Sequence, residues 1–146
     1  MKKRVSVSIL AFLSLVIIGY GILYMLRQDI MSYHAAFLGM SEEQLMVFNQ
    51  HIIPLYLTLI WITGSCMIAI GLTSLVIVVG PLRQGQRWAW WVLITLLPIP
   101  LVITSILSYH IANTIPSGPK PPYWLATGIF ILFIASIGFC YPHRNK

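Results

Sequence analysis

Charge is scarce in this 146-residue chain: 8% of its residues are Asp, Glu, Lys or Arg, and only three of those are acidic. With 58% apolar residues and a mean hydropathy of +0.86, too little polar surface exists to cover a water-soluble fold of this size. Cysteine is almost absent as well. Cys66 and Cys140 are the only two, they form no C-x-x-C pair, and both fall in apolar stretches, so neither a structural disulfide nor a thiol redox enzyme is expected. No H-x-x-H or H-E-x-x-H spacing and no nucleotide-binding motif is present. No Asp, Glu, Lys, Arg or His occupies the central part of any long apolar stretch. That absence argues against proton relays and ion-coupled transport, which place ionisable groups inside the bilayer.

What the chain does have is four long apolar stretches, at residues 5–26, 52–80, 88–109 and 123–141. A hydrocarbon core of about 30 Å takes about 20 helical residues to cross, so each stretch reads as a membrane span. The expected fold is all-α: a single domain over residues 1–146, built as an integral-membrane four-helix antiparallel bundle. The segment Met1 to Leu26 starts like a secretory signal, but its apolar run exceeds the usual span of about 7 to 15 residues and no A-x-A site follows. It is expected to stay attached as the first span.

The nine basic residues give a net charge of +6. They are not interleaved with stacking aromatics, so nucleic acid is not an expected partner. They flank the apolar stretches instead. Lys2, Lys3, Arg4, Arg83, Arg87, Arg144 and Lys146 fall at one side of the expected bundle, whereas Arg27 and Lys120 share the other with all three acids, Asp29, Glu42 and Glu43. The positive-inside rule then puts both termini and the short middle loop in the cytoplasm.

Local chemistry adds detail to this layout. Pro54 suits the first turn of a helix, while Pro98 and Pro100 should kink the third span, freeing carbonyls for which Thr95, Thr104 or a water are candidate partners. Small residues recur at helical spacing (Ser65, Ala69 and Thr73; Gly64 with Gly71; Ser14 with Gly21; Gly128 with Ala135) and should let helix backbones approach closely. Trp88, Trp90 and Trp91 follow Arg87, and Tyr109, Tyr123 and Trp124 mark the opposite side; these read as interfacial belts. Arg83, Arg87 and those three tryptophans are accordingly expected to be lipid-facing anchors. In the loop from Arg27 to His51, Ser41-Glu42-Glu43-Gln44 has the form of a capping box, and Leu45, Met46 and Phe48 give the helix that follows an apolar side. A short amphipathic helix on the outer membrane surface is expected there. The proline-rich segment from Ile111 to Pro122 should be extended, with little helix.

Ionisable groups gather on the expected outer face: Arg27, Asp29, His34, Glu42, Glu43, His51 and His110. These are the candidate ligand-binding residues. The three histidines are the candidate metal ligands, since imidazole and carboxylate suit zinc, copper or iron. No cofactor is identified by this pattern. Glu42 and Glu43 are also accounted for by helix capping.

The segment Gly80-Pro81-Leu82-Arg83-Gln84-Gly85-Gln86-Arg87-Trp88-Ala89-Trp90-Trp91, with Tyr33-His34-Ala35-Ala36 and Leu38-Gly39 upstream, resembles a pattern of small uncharacterised four-span bacterial membrane proteins, loosely comparable to DoxX-like families. The resemblance implies a bacterial inner-membrane location and the same four-span layout, and it carries no activity and no catalytic residue. The expected function is therefore an accessory subunit or a lipid- or small-molecule-binding module. Its partners would be membrane lipids and a membrane protein or a second copy. The alternative is a membrane enzyme with an outer-facing His/carboxylate site, possible metal dependence and an apolar channel shaped by the proline kink; a small oligomeric transporter is third.

Overall fold

The computed structural model describes residues 2–139, so Cys140, Arg144, Lys146 and the last two positions of the stretch at 123–141 lie outside the described residues. Helix accounts for 83% of what is described, and no strand occurs among those residues. The elements are α1 (Lys2–Met25), α2 (Ser32–Leu38), α3 (Glu42–Phe48), α4 (Ile52–Ile77), a π-helical turn (Val78–Leu82), α5 (Arg87–Leu96), α6 (Pro98–Thr114) and α7 (Tyr123–Phe139). Three helical stretches are long and apolar enough to cross a membrane: Arg4–Met25, Ile52–Leu82 and Arg87–Thr114. The apolar α7 is shorter, at 17 residues.

Prolines set most of the boundaries. Pro54 is the third residue of α4, where the donors of the first turn have no intrahelical acceptor and a missing N–H costs little. Pro81 has no N–H to return to the Ile77 carbonyl, and there the chain passes through the wider π turn before leaving the helix. Helical geometry thus persists to Leu82, beyond the expected end at residue 80. Gly85 then takes φ +88°, a conformation that only glycine adopts without strain, and its N–H bonds the Leu82 carbonyl at 2.9 Å.

At Pro98 and Pro100 the expected kink takes the form of a break at Leu97, which separates α5 from α6. The Thr95 hydroxyl does not serve the freed carbonyls. It lies 3.1 Å from the Trp91 oxygen and 3.0 Å from that of Val92, one turn earlier. Helix α6 then runs to Thr114, past the expected end at 109, because residues 110–114 contain no proline or glycine to stop it. It ends where Ile115, which precedes Pro116, is forced to an extended ψ of 112°.

The most extensive interface joins α1 to α4. Rising positions on α1 meet falling positions on α4: the Ser14 carbonyl and Ile18 lie against Gly71, and Gly21 lies against Gly64, while at the rim of the contact Met25 Sδ is 3.8 Å from the exposed Ser65 Oγ. A Cβ added at Gly64 would stand 2.7 Å from the Gly21 carbonyl oxygen, and one at Gly21 equally close to the Gly64 oxygen. Only glycine at both positions allows this approach. The other small-residue pattern does not act this way: Gly128 faces open space, and Ser65, Ala69, Thr73 and Ala135 are exposed.

Towards the N-terminus of α1, Leu10, Leu13 and Ile17 join Ile77, Val78 and Leu82, then Ala89, Leu93 and Leu97 of the third stretch and Phe133 and Ile137 of α7, in one apolar core. The buried polar side chains among the described residues are four serines, Ser6, Ser14, Ser74 and Ser136. Ser14 donates to the Leu10 carbonyl at 2.9 Å, whereas Ser74 Oγ has no partner among the described residues.

The glycine contact is open to direct test. Gly64→Ala drives a methyl into backbone that has no rotamer to yield, and should cost about 1–3 kcal/mol in unfolding from lipid-mimetic micelles. Gly128→Ala, with nothing within 4 Å, should stay within about 1 kcal/mol of wild type. Equal effects at the two positions would contradict the packing described.

Candidate functional site

At the end of the bundle formed by residues 26–51 and 115–122, the chain folds into a cap. The Ser41 capping box forms as its residue types require: Gln44 N–H donates to Ser41 Oγ at 3.2 Å, and Ser41 N–H donates to Gln44 Oε1 at 2.8 Å. The box fixes α3 so that Leu45 buries against Ile30 and Ile53. Gly39, at φ +66°, closes α2; its own N–H bonds the Ala36 carbonyl and the Met40 N–H bonds that of Ala35, each at 3.3 Å. Helix α2 had no expectation from sequence, because its seven residues make less than two full turns and carry no capping side chain.

His34 on α2 is the ionisable group most tightly built in. Its Nδ1 lies 2.8 Å from the Tyr56 hydroxyl oxygen, which also accepts the Met31 N–H at 3.2 Å. Tyr33 donates to Met31 Sδ at 2.7 Å and lies against the His34 ring, with centroids 4.4 Å apart. The Tyr56 oxygen keeps its own proton and a second lone pair beside the Met31 N–H, so it serves His34 Nδ1 as donor or acceptor according to the imidazole tautomer. Burial pushes the His34 pKa down and that of Tyr33 up, the latter assisted by neighbouring Tyr24. Both shifts keep the groups neutral, which suits a hydrogen-bonded clamp between α2 and α4.

The remaining candidates do not join it. His110, near the end of α6, is exposed and meets the edge of Phe37, with centroids 6.5 Å apart. His51 is exposed at the start of α4, and its N–H donates to Asn49 Oδ1 at 2.9 Å. Arg27 and Asp29 form an exposed ion pair at 3.3 Å. Glu42 and Glu43 occupy the first turn of α3, where they complement the helix dipole. Among the described residues no three His, Cys, Asp or Glu side chains are grouped to hold a metal. The three histidines therefore do not form one ligand set.

At the opposite end, Arg83, Arg87, Trp88 and Trp91 are exposed, and the Trp88 indole donates to Gln86 Oε1 at 2.6 Å. Trp90 departs from the expected row of lipid-facing anchors. It is half-buried and donates to the Ile137 carbonyl of α7 at 2.9 Å, tying two helices together. Trp90 lies three positions before the fully buried Leu93, on the same helix face, and that face was not distinguishable from sequence alone. Tyr56 and Met31 were not legible at all, since the meeting of Tyr56 with the other two depends on how α2 and α3 fold back onto α4.

The clamp predicts a pH dependence. His34 is harder to protonate when docked than when released, so docking is fully stable above the ordinary imidazole value of about 6.5 and weakens as pH falls below it. Hydrogen exchange of amides 31–38, corrected for intrinsic rates, should accelerate between pH 7.5 and 5 in wild type and lose that extra dependence in His34→Asn. Tyr56→Phe strands both the Met31 N–H and His34 Nδ1, and should cost about 1–3 kcal/mol of cap stability even at pH 7.5.

Comparison with protein-family models, with curated proteins and with solved structures finds no match to this chain, so its function rests on the chemistry of its own residues.

Proposed function

We propose that this chain is an accessory subunit of a bacterial inner membrane: a four-span antiparallel bundle with both termini and the Arg83–Arg87 turn in the cytoplasm and the cap outside. The single observation that carries the reading is the uneven covering of its helices. About a third of the most apolar window of Arg4–Met25 and of Ile52–Leu82 is buried within the chain (33% and 28%), against 11% for Arg87–Thr114. Helix α5 is anchored by Ala89 and Leu93, but after the break at Leu97 most of α6 turns outward, with Ile99, Ile103, Ile106 and Leu107 exposed. Packing and interhelical hydrogen bonds, not the hydrophobic effect, drive helix association in lipid. A helix left this bare, beside carbonyls of Ile94 and Leu96 whose i+4 residues are prolines, is suited to receive a membrane partner.

The rest of the molecule supports a binding role over a catalytic one. Among the described residues the buried polar side chains are serines, and in the cap His34 is committed to a clamp, Arg27 and Asp29 to an ion pair, and Glu42 and Glu43 to a helix start. Seven of the nine basic residues fall on the side assigned to the cytoplasm.

Photo-crosslinking amino acids placed at Ile103 and Ile106 in native membranes should yield one discrete protein adduct, while the same probe at Leu59 on α4 should yield lipid adducts alone. Lipid adducts at all three positions would overturn the subunit reading. For orientation, a membrane-impermeant maleimide applied to intact spheroplasts should label Gln50→Cys in a Cys66→Ala, Cys140→Ala background and leave Gln84→Cys unlabelled until the cells are lysed.

A further inference from the structure

Helix α1 ends in a short, steep change of polarity. Leu23, in its last turn, and Leu26, just past its end, are exposed apolar residues, and Arg27, Gln28 and Asp29 follow directly. These five side chains line a shallow, open hollow on the surface. Across it the Arg27 guanidinium and the Asp29 carboxylate meet at 3.3 Å, and their side chains are 46% and 61% exposed. The backbone beneath is held from α4, where the Trp61 indole donates to the Arg27 carbonyl at 3.0 Å, and the helix closes with the Arg27 N–H on the Tyr24 carbonyl. Two opposite charges are thus fixed side by side on a firm backbone, directly above an apolar slope that faces the acyl region in a membrane.

We propose that this hollow binds the head of a primary-amine zwitterionic phospholipid, with its phosphate on Arg27, its ammonium on Asp29, and the upper acyl segments against Leu23 and Leu26. An ion pair this exposed contributes little by itself, so opening it to take two ligand charges forfeits little. The phosphate matches the flat donor fork of arginine, and the ammonium supplies N–H donors to the carboxylate. Asp29 is what selects among lipids. A head with net negative charge gains Arg27 but meets the carboxylate beside it, and a quaternary choline head has no N–H to donate. The site is independent of any partner on α6, which lies on a different helix pair.

The test is native mass spectrometry of the full chain in detergent, titrated in parallel with phosphatidylethanolamine, phosphatidylcholine and phosphatidylglycerol of identical acyl chains. One phosphatidylethanolamine should be retained per chain, about fivefold more strongly than either competitor, the equivalent of about 1 kcal/mol for one charge at the headgroup level. Arg27→Gln should weaken retention of all three lipids. Asp29→Asn should erase the preference for the amine and raise retention of phosphatidylglycerol. Both side chains are exposed, so helix content and thermal unfolding should match wild type, which separates loss of the site from loss of the fold. Equal retention of the three lipids by wild type, or a preference that survives Asp29→Asn, would overturn the proposal.

Discussion

The approach of Gly21 to Gly64 sets the distance between α1 and α4, and the other helices are arranged around that pair. Lipid offers apolar side chains the same contacts that another helix does, so burial alone gives no reason for helices to associate in a bilayer. Backbone atoms brought to van der Waals distance do give one. Gly71 repeats the contact two turns further along α4, against the Ser14 carbonyl and Ile18, and between them the glycines fix both spacing and register. Helix α7 then lies against α1 and α6, and α5 is held where Leu93 and Leu97 enter the core beside Leu10, Leu13 and Phe133.

Polar bonding is concentrated at the cap end. Where α1 and α4 emerge, Tyr56 and Trp61 tie a loop of two short helices to α4 by hydrogen bonds to backbone as well as to a side chain, and the Ser41 box fixes α3 within that loop. At the other end, the Trp90 indole and the π turn at Pro81 do the fastening, and bulky apolar side chains do the rest. The two ends of the molecule are therefore stabilised by different physics, and the joint of the cap includes an imidazole, that of His34, whose pKa burial lowers.

Much of this was legible in the sequence because it depends on short-range rules. Apolar length located the long helices, proline chemistry located the kink at Pro98 and Pro100, and Ser41 with Gln44 located the start of α3, whereas α6 outran its expected end at 109 and stopped only before Pro116. Spacing alone did not decide which small residues pack. Gly64 with Gly71 and Gly128 with Ala135 share the same interval, yet only the first pair meets another backbone, since that depends on which helix lies opposite. The candidate site was legible as residue types and not as geometry. His34, His51 and His110 fall in the same cap, but their separation follows from how α2 settles on Tyr56 and Phe37 on His110.

The chain order of that closest interface bears on biosynthesis. Every residue that brings α1 against α4 precedes Leu82, so the pair is complete while the last 64 of the 146 residues are still to be made. Nothing from the later helices enters the glycine contacts. A ribosome feeding this chain into a membrane thus delivers both sides of the glycine contact before the later helices, which complete the core around Leu10, Leu13 and Ile77.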